Sequence, residues 1–272
     1  MPVKPVTKNM ITIGRFRIPY RVYGQEGSET LVCINGIQQS MAIWLDFVQR
    51  FSHQYRILLF DFPHQGKGCV ISGPQEVSLN EQVDILDQLL TATGFNEELI
   101  LCSASWGGVV AASFTIHHPK RTKKLILAGI GTKPNQRMIE TITNGMKLPM
   151  ENRREIAETL IESFGENLPD GVKTVITRQF ERMESDTLGS FYKHGSFILA
   201  SEPLQKVIDL KRITCRTILL RGEHDTIIDS DDLNLLAAEI MGAEVRTIKG
   251  AGHFLHLEND KLMDTYEDIL RS

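Results

Sequence analysis

The chain has 272 residues, of which 42% are hydrophobic and 24% charged, and its formal net charge at pH 7 is −4. These proportions are ordinary for a globular protein and exclude a disordered chain, a coiled coil and a collagen-like repeat. So small a negative charge exerts no electrostatic pull toward nucleic acid or anionic lipid, and neither is expected as a partner. The length suits either two domains or one large α/β fold.

The start of the chain, Met1 to Met10, lacks the apolar stretch of a signal peptide. No apolar run approaches the roughly 20 residues that cross a bilayer, so no transmembrane segment is expected. The four cysteines, Cys33, Cys69, Cys102 and Cys215, are spaced neither as metal ligands nor as a disulfide framework. Together these features predict a cytoplasmic protein.

Two partly alternating segments, Met10 to Phe16 and Ile18 to Tyr23, predict paired antiparallel strands. Short, almost wholly apolar runs follow: Thr30 to Asn35, Arg56 to Asp61, Leu99 to Ser103, Lys124 to Gly129 and Thr217 to Arg221, with Glu244 to Ile248 a weaker sixth. Such runs suit strands covered on both faces. Leu79 to Leu90 places Val83, Leu86, Leu89 and Leu90 at helical spacing, and Ser78 with Glu81 forms a capping-box pattern. Val109 to His117, Asp231 to Met241 and Lys261 to Leu270 also read as helices. This alternation predicts an α/β fold with a mainly parallel, doubly wound sheet.

From Thr132 to Lys211 the alternation stops. Amphipathic pieces such as Arg153 to Phe164 and Val172 to Met183 are punctuated by Pro149, Pro169, Gly171 and Gly189. The expected organisation is a core of residues 1–131 and 212–272, with a helical cap insertion at 132–211. The charges of the insertion are balanced, as on a solvated face.

The strongest chemical signal is Ser103-Ala104-Ser105-Trp106-Gly107-Gly108, placed between an apolar run and a helical stretch. A serine on a sharp strand-to-helix turn is a nucleophile elbow, usually written G-x-S-x-G. Small residues two before and two after the serine let the backbones pass. Here Ser103 stands for the first glycine and Gly107 keeps the second. The plainer reading of Ser105 is an ordinary helix N-cap.

An acid and a base are expected downstream in that order. Asp225 follows the run Thr217 to Arg221 and lies 225 − 105 = 120 residues after Ser105. Glu223, Asp229, Asp231 and Asp232 compete with it, the last three at a helix start that favours carboxylates. His253 sits in Gly250-Ala251-Gly252-His253-Phe254, which lies 253 − 225 = 28 residues beyond Asp225. His224 and His256 are its neighbours in sequence. Neutral histidine would take the serine proton, and aspartate would fix its tautomer.

Two backbone N–H groups should meet the developing oxyanion. Trp106, after the nucleophile, supplies one. Ile37, in the Asn35-Gly36-Ile37 loop, supplies the other. The loop Phe60 to Gly68 reads as structural, without the spacing of a phosphate loop. No histidine–carboxylate set has zinc spacing, and neither a metal nor another cofactor is expected.

At these residues the chain resembles the α/β-hydrolase superfamily. Ser103 to Gly108, Asn35-Gly36 and the stretch Gly252-His253-Phe254-Leu255-x-Leu257-Glu258 are similar to its 3-hydroxyacyl acyltransferase branch. That branch includes the synthase of the rhamnolipid lipid precursor and the 3-hydroxyacyl transacylase between acyl carrier protein and CoA. The resemblance implies an α/β-hydrolase fold and a ping-pong route. An acyl-serine would form from a (3-hydroxy)acyl thioester or ester on CoA or acyl carrier protein, then pass its acyl group to an acceptor or water. The alternatives are a carboxylic ester or thioester hydrolase of a small or lipid-like substrate, and a ligand-binding receptor with residual hydrolase activity.

Overall fold

The computed structural model describes residues 3–258 and 261–272. Nine strands form the sheet: β1 (Thr7–Ile13), β2 (Phe16–Tyr23), β3 (Thr30–Ile34), β4 (Arg56–Phe60), β5 (Cys69–Val70), β6 (Leu99–Ala104), β7 (Thr122–Ala128), β8 (Arg216–Gly222) and β9 (Glu244–Ile248). Their order is β1-β2-β4-β3-β6-β7-β8-β9, with β5 pairing beside β2. β3 pairs in parallel with β4 and β6, and β6 in parallel with β7, while β1, β2 and β5 pair antiparallel. The sheet is thus mainly parallel, as the continuous apolar runs required.

The helices are α1 (Leu45–Phe51), α2 (Leu79–Ala92), α3 (Trp106–His117), α4 (Gln136–Lys147), α5 (Arg153–Phe164), α6 (Asp170–Glu181), α7 (Ser185–Ala200), α8 (Leu204–Val207), α9 (Ser230–Ala238), α10 (Leu255–Glu258) and α11 (Leu262–Arg271). The α2 start is a capping box: Ser78 Oγ accepts from the Glu81 amide at 3.2 Å, and the Glu81 carboxylate accepts from the Ser78 amide at 2.9 Å. Among the described residues no helix is long and apolar enough to cross a membrane.

The first hairpin differs in register from the expected one. Its turn falls at Gly14 and Arg15, so Phe16 opens the second strand and pairs with Ile13. Gly14 has φ +54°, a left-handed turn conformation that ends β1 before the apolar pattern does.

Two compact units divide the chain. The first comprises the described residues up to Ala128 together with 209–218 and 240–244. It is built on β1 to β7, with Leu31, Val32, Leu58, Leu59, Ile100 and Leu101 among its buried strand residues. The second comprises 129–208, 219–239 and the residues from Val245 on. No strand lies between Ala128 and Arg216; that span holds α4 to α8. Ile156, Ala157, Phe180, Met183 and Leu188 of α5 to α7 share one apolar cluster.

Candidate active site

In the first unit β6 delivers Ser105 directly into α3. Ser105 has φ +48° and ψ −123°, and its hydroxyl does not cap the helix. A non-glycine residue in such a region stores strain, of order 1–3 kcal/mol, that its surroundings must impose. The ordinary N-cap reading is therefore excluded: an N-cap serine is extended and accepts a bond from the helix. The backbone is pinned on both sides. The Ser105 amide donates to the Ala128 carbonyl at 2.7 Å, and the Ser105 carbonyl accepts from the Gly108 amide at 2.8 Å. Among the described residues the Ser105 side chain forms no hydrogen bond.

The small flanking residues have visible reasons. A Cβ on Gly107 would stand 2.6 Å from the carbonyl oxygens of both Ile34 and Asn35. Only glycine lets α3 start that close to the end of β3. Ser103 is fully buried, and its hydroxyl donates to the Ile126 carbonyl at 2.9 Å. Its hydroxyl points toward β7, so it stays clear of the turn.

Beside the turn lies the loop after β3. Asn35 is buried and saturated: its amide nitrogen reaches the Phe60 carbonyl at 2.8 Å and Asp61 Oδ1 and Gln65 Oε1 at 3.2 Å each, and its oxygen accepts from Trp44 Nε1 at 3.0 Å. Burial raises the Asp61 pKa, against hydrogen bonds from Met41, Lys67 and Asn35 and the charge of Arg21. Asn35 joins the ends of β3 and β4. Ile37 follows in a turn, half-buried, and Trp106 is the first residue of α3.

In the second unit the loop after β8 carries Asp225 and the loop after β9 carries His253. His253 Nδ1 lies 3.0 Å from Asp225 Oδ2, and both side chains are buried. The other Asp225 oxygen accepts from the Ile227 and Ile228 amides at 2.9 and 3.0 Å. Burial raises the Asp225 pKa, but the charge and hydrogen bond of His253 and these two amides outweigh it and hold the carboxylate below its usual range. For His253 burial acts downward, yet the charge and hydrogen bond of Asp225 and the charge of Glu258 lift it above its ordinary value. A carboxylate acceptor on Nδ1 fixes the proton there and leaves Nε2 as the acceptor of the neutral ring.

The competing residues fall away. Glu223, His224 and Asp229 are exposed. Asp232 binds the backbone amide and hydroxyl of Thr132. His256 sits 2.8 Å from the Tyr266 hydroxyl, and burial pushes its pKa down to about 3.

Four further residues surround the Asp225–His253 pair. Arg221 donates to the Ile228 and Asp225 carbonyls at 2.6 and 3.0 Å and curls the acid loop. The Glu258 carboxylate accepts from the amides of Gly252 and Phe254, on either side of His253. Gly222 allows the acid and base loops to touch, since a Cβ there would meet the Gly252 and Ala251 carbonyls at 2.2 and 2.4 Å. Phe164, the last residue of α5, places its ring edge-on to the His253 imidazole, centroids 5.5 Å apart. Glu258 stood in a recognised stretch without a role. Arg221 and Phe164 carried no signal that separated them from core or surface residues.

The structure thus brings Asp225 and His253 together in one unit, and Ser105, Trp106 and the Ile37 loop belong to the other.

The sequence pattern of the alpha/beta hydrolase family matches residues 31–265, and the chain belongs to that family. It is 22% identical over 260 residues to the (R)-3-hydroxydecanoyl-ACP:CoA transacylase of Pseudomonas putida, spanning 94% of this chain and 87% of that protein. It is 26% identical over 259 residues to the 2-hydroxy-6-oxononadienedioate/2-hydroxy-6-oxononatrienedioate hydrolase of Escherichia coli O139:H28, spanning 89% of this chain and 86% of that protein. A candidate lipase from Acinetobacter baumannii AYE superposes with a TM-score of 0.84 at 20% identity, covering 97% of this chain and 91% of that one. The relatives therefore include both acyl-transferring and hydrolytic enzymes, and the transacylase branch expected from the motifs is among them.

Proposed function

We propose that this is a serine acyl-transfer enzyme in which Ser105 is the nucleophile, His253 the general base and Asp225 the residue that orients it. The observation that carries the proposal is the Ser105 backbone, held at φ +48° with a hydroxyl that caps nothing. Strain of this kind persists where a surrounding structure enforces it, often at reactive groups. The Asp225–His253 pair supports the reading, because its tautomer leaves Nε2 to take a proton. Chain continuity supports it as well. Ala128, whose carbonyl holds the Ser105 amide, is followed directly by Gly129, and a Cβ on Gly129 would lie 3.4 Å from His253 Cε1.

In the first half-reaction His253 Nε2 takes the Ser105 proton as the oxygen attacks the acyl carbonyl. The amides of Ile37 and Trp106 receive the oxyanion. The leaving thiol or alcohol collects the proton from His253 as the tetrahedral intermediate collapses to acyl-serine. An acceptor hydroxyl, thiol or water then repeats the steps in reverse. By similarity to the transacylase relatives, the acyl donor is a 3-hydroxyacyl thioester on acyl carrier protein or CoA. Residues 132–211 act as the cap that selects the chain and limits water.

A fluorophosphonate probe should label wild type at Ser105 and leave Ser105→Ala unlabelled; labelling at another residue would sink the assignment. Incubation with 3-hydroxydecanoyl-CoA, with and without a 3-hydroxyacyl acceptor, followed by mass analysis, separates transfer from hydrolysis. Free acid alone in both tubes makes the protein a hydrolase.

A further inference from the structure

We propose that Gln65 is a positioning residue for the oxyanion-binding amide of Ile37. The inference rests on the acyl-serine reading and adds to it the group that sets the direction of one of its two amide donors.

The argument begins with the peptide between Gly36 and Ile37. Among the described residues no peptide bond is cis. In a trans amide the carbonyl and the following N–H point in opposite directions. Whatever fixes the Gly36 carbonyl therefore also aims the Ile37 N–H. Gln65 Nε2 donates to that carbonyl at 2.8 Å, in a fully buried bond joining residues 29 apart in sequence. The Gln39 amide also reaches it, at 3.3 Å, and Gln39 Oε1 accepts from the Gly36 amide at 2.7 Å. The Ile37 amide itself forms no hydrogen bond among the described residues. The Gln65 side chain and the Gln39 amide thus hold the peptide whose N–H remains available, and the Gln39 side chain holds the peptide before it.

The orientation of the Gln65 side-chain amide has one solution. Its oxygen accepts from the Phe62 amide at 3.1 Å and from Asn35 Nδ2 at 3.2 Å. Both are donors, so the side-chain nitrogen must face the Gly36 carbonyl. Asn35 is itself locked by Trp44, Phe60 and Asp61. Gln65 is 6% exposed, so neither bond is exchanged readily for water. A glutamine that merely packed there would not need its donor on this one carbonyl.

The test is kinetic. Gln65→Met keeps the length and removes both the donor and the acceptor. The expected result is a fall in kcat on a p-nitrophenyl acyl ester of about 10- to 100-fold, somewhat less than outright removal of an oxyanion donor. KM should stay near the wild-type value, and the Ki of an alkylboronic acid, whose adduct is tetrahedral, should rise by a similar factor. Gln65→His, which keeps an N–H donor, should recover part of the loss. A folded Gln65→Met with wild-type kcat overturns the proposal, as does a loss confined to KM. If Gln65→Met does not fold, unequal kcat in Gln65→His and Gln65→Ala supports the proposal and equal kcat overturns it. Loss of fold in all three variants overturns it in favour of a purely structural amide. Failure of the underlying reading shows differently: wild type itself would not be labelled at Ser105 by a fluorophosphonate.

Discussion

Glu258 provides a severe test of how the histidine loop is held. One carboxylate oxygen accepts from the Gly252 amide and the other from the Phe254 amide, so the two peptides that bracket His253 share one side chain. Glu258→Gln preserves shape but turns one acceptor into a donor, setting N–H against N–H. A hydrogen bond to a charged group contributes about 1.5–3 kcal/mol. One such bond is lost, and the survivor drops to the neutral range. The expected destabilisation is about 2–3 kcal/mol, which lowers Tm by roughly 5–10 °C in a chain of this size. The same substitution removes a negative charge that helps raise the His253 pKa. On the proposed reading His253 is a general base that works only when neutral, so activity falls as pH drops through its folded-state pKa. In wild type that acid limb lies above the ordinary histidine value of about 6.5. In Glu258→Gln it moves to lower pH. The assay is kcat/KM on a chromogenic ester from about pH 5 to 9, with calorimetric Tm on the same samples. An acid limb that stays in place or moves upward, with Tm unchanged, would refute the assigned role.

Two further substitutions probe the same architecture. Asp225→Asn should lower kcat/KM by about 10⁴, because the amide favours the wrong histidine tautomer. Its stability deficit should depend on pH. The Asp225 pKa is depressed in the fold, so its contribution is present above the unfolded value of about 3.9 and is lost as pH falls through the folded value. Melting curves for wild type and Asp225→Asn should therefore converge in acid, and a gap that widens there contradicts the pairing. Gly107→Ala drives a methyl group against the Ile34 and Asn35 carbonyls, which are backbone and cannot turn aside. A loss of about 1–3 kcal/mol is expected, with a fall in esterase activity as the Ile37 loop is displaced. Unchanged Tm in that variant would show that the close approach of α3 to β3 is misdrawn.

Ser105, Asp225 and His253 stood out in the sequence as candidates because each follows an apolar run and sits in a short stretch of small or polar residues. The strand-to-helix turn, the capping box at Ser78 and the mainly parallel sheet were legible on the same grounds. Gln65, Arg221 and Glu258 were not. Each works through a backbone group, and nothing in the local pattern distinguishes a polar side chain that turns inward from one that meets solvent. Gln65 finds its carbonyl 29 residues back, a distance at which local pattern says nothing. α4 and α7 went unseen for another reason. α7 contains Gly189 and Gly195, poor helix formers, and α4 contains Gly145. Contact between the two helices supports them: Gly195 admits the Ile142 side chain, and the Tyr192 hydroxyl donates to the Gly145 carbonyl at 2.9 Å.

The buried hydroxyl of Ser103 bears on any attempt to redesign this enzyme. An engineer guided by the commoner motif would restore glycine two places before Ser105. That change would strip the sixth strand of its side-chain tether to the seventh and deprive the Ile126 carbonyl of its side-chain donor. It would also loosen a chain that must hold its neighbour in a disfavoured conformation. What looks like a lapse from the usual pattern is a brace, and mending it would leave the Ser105 turn on softer ground.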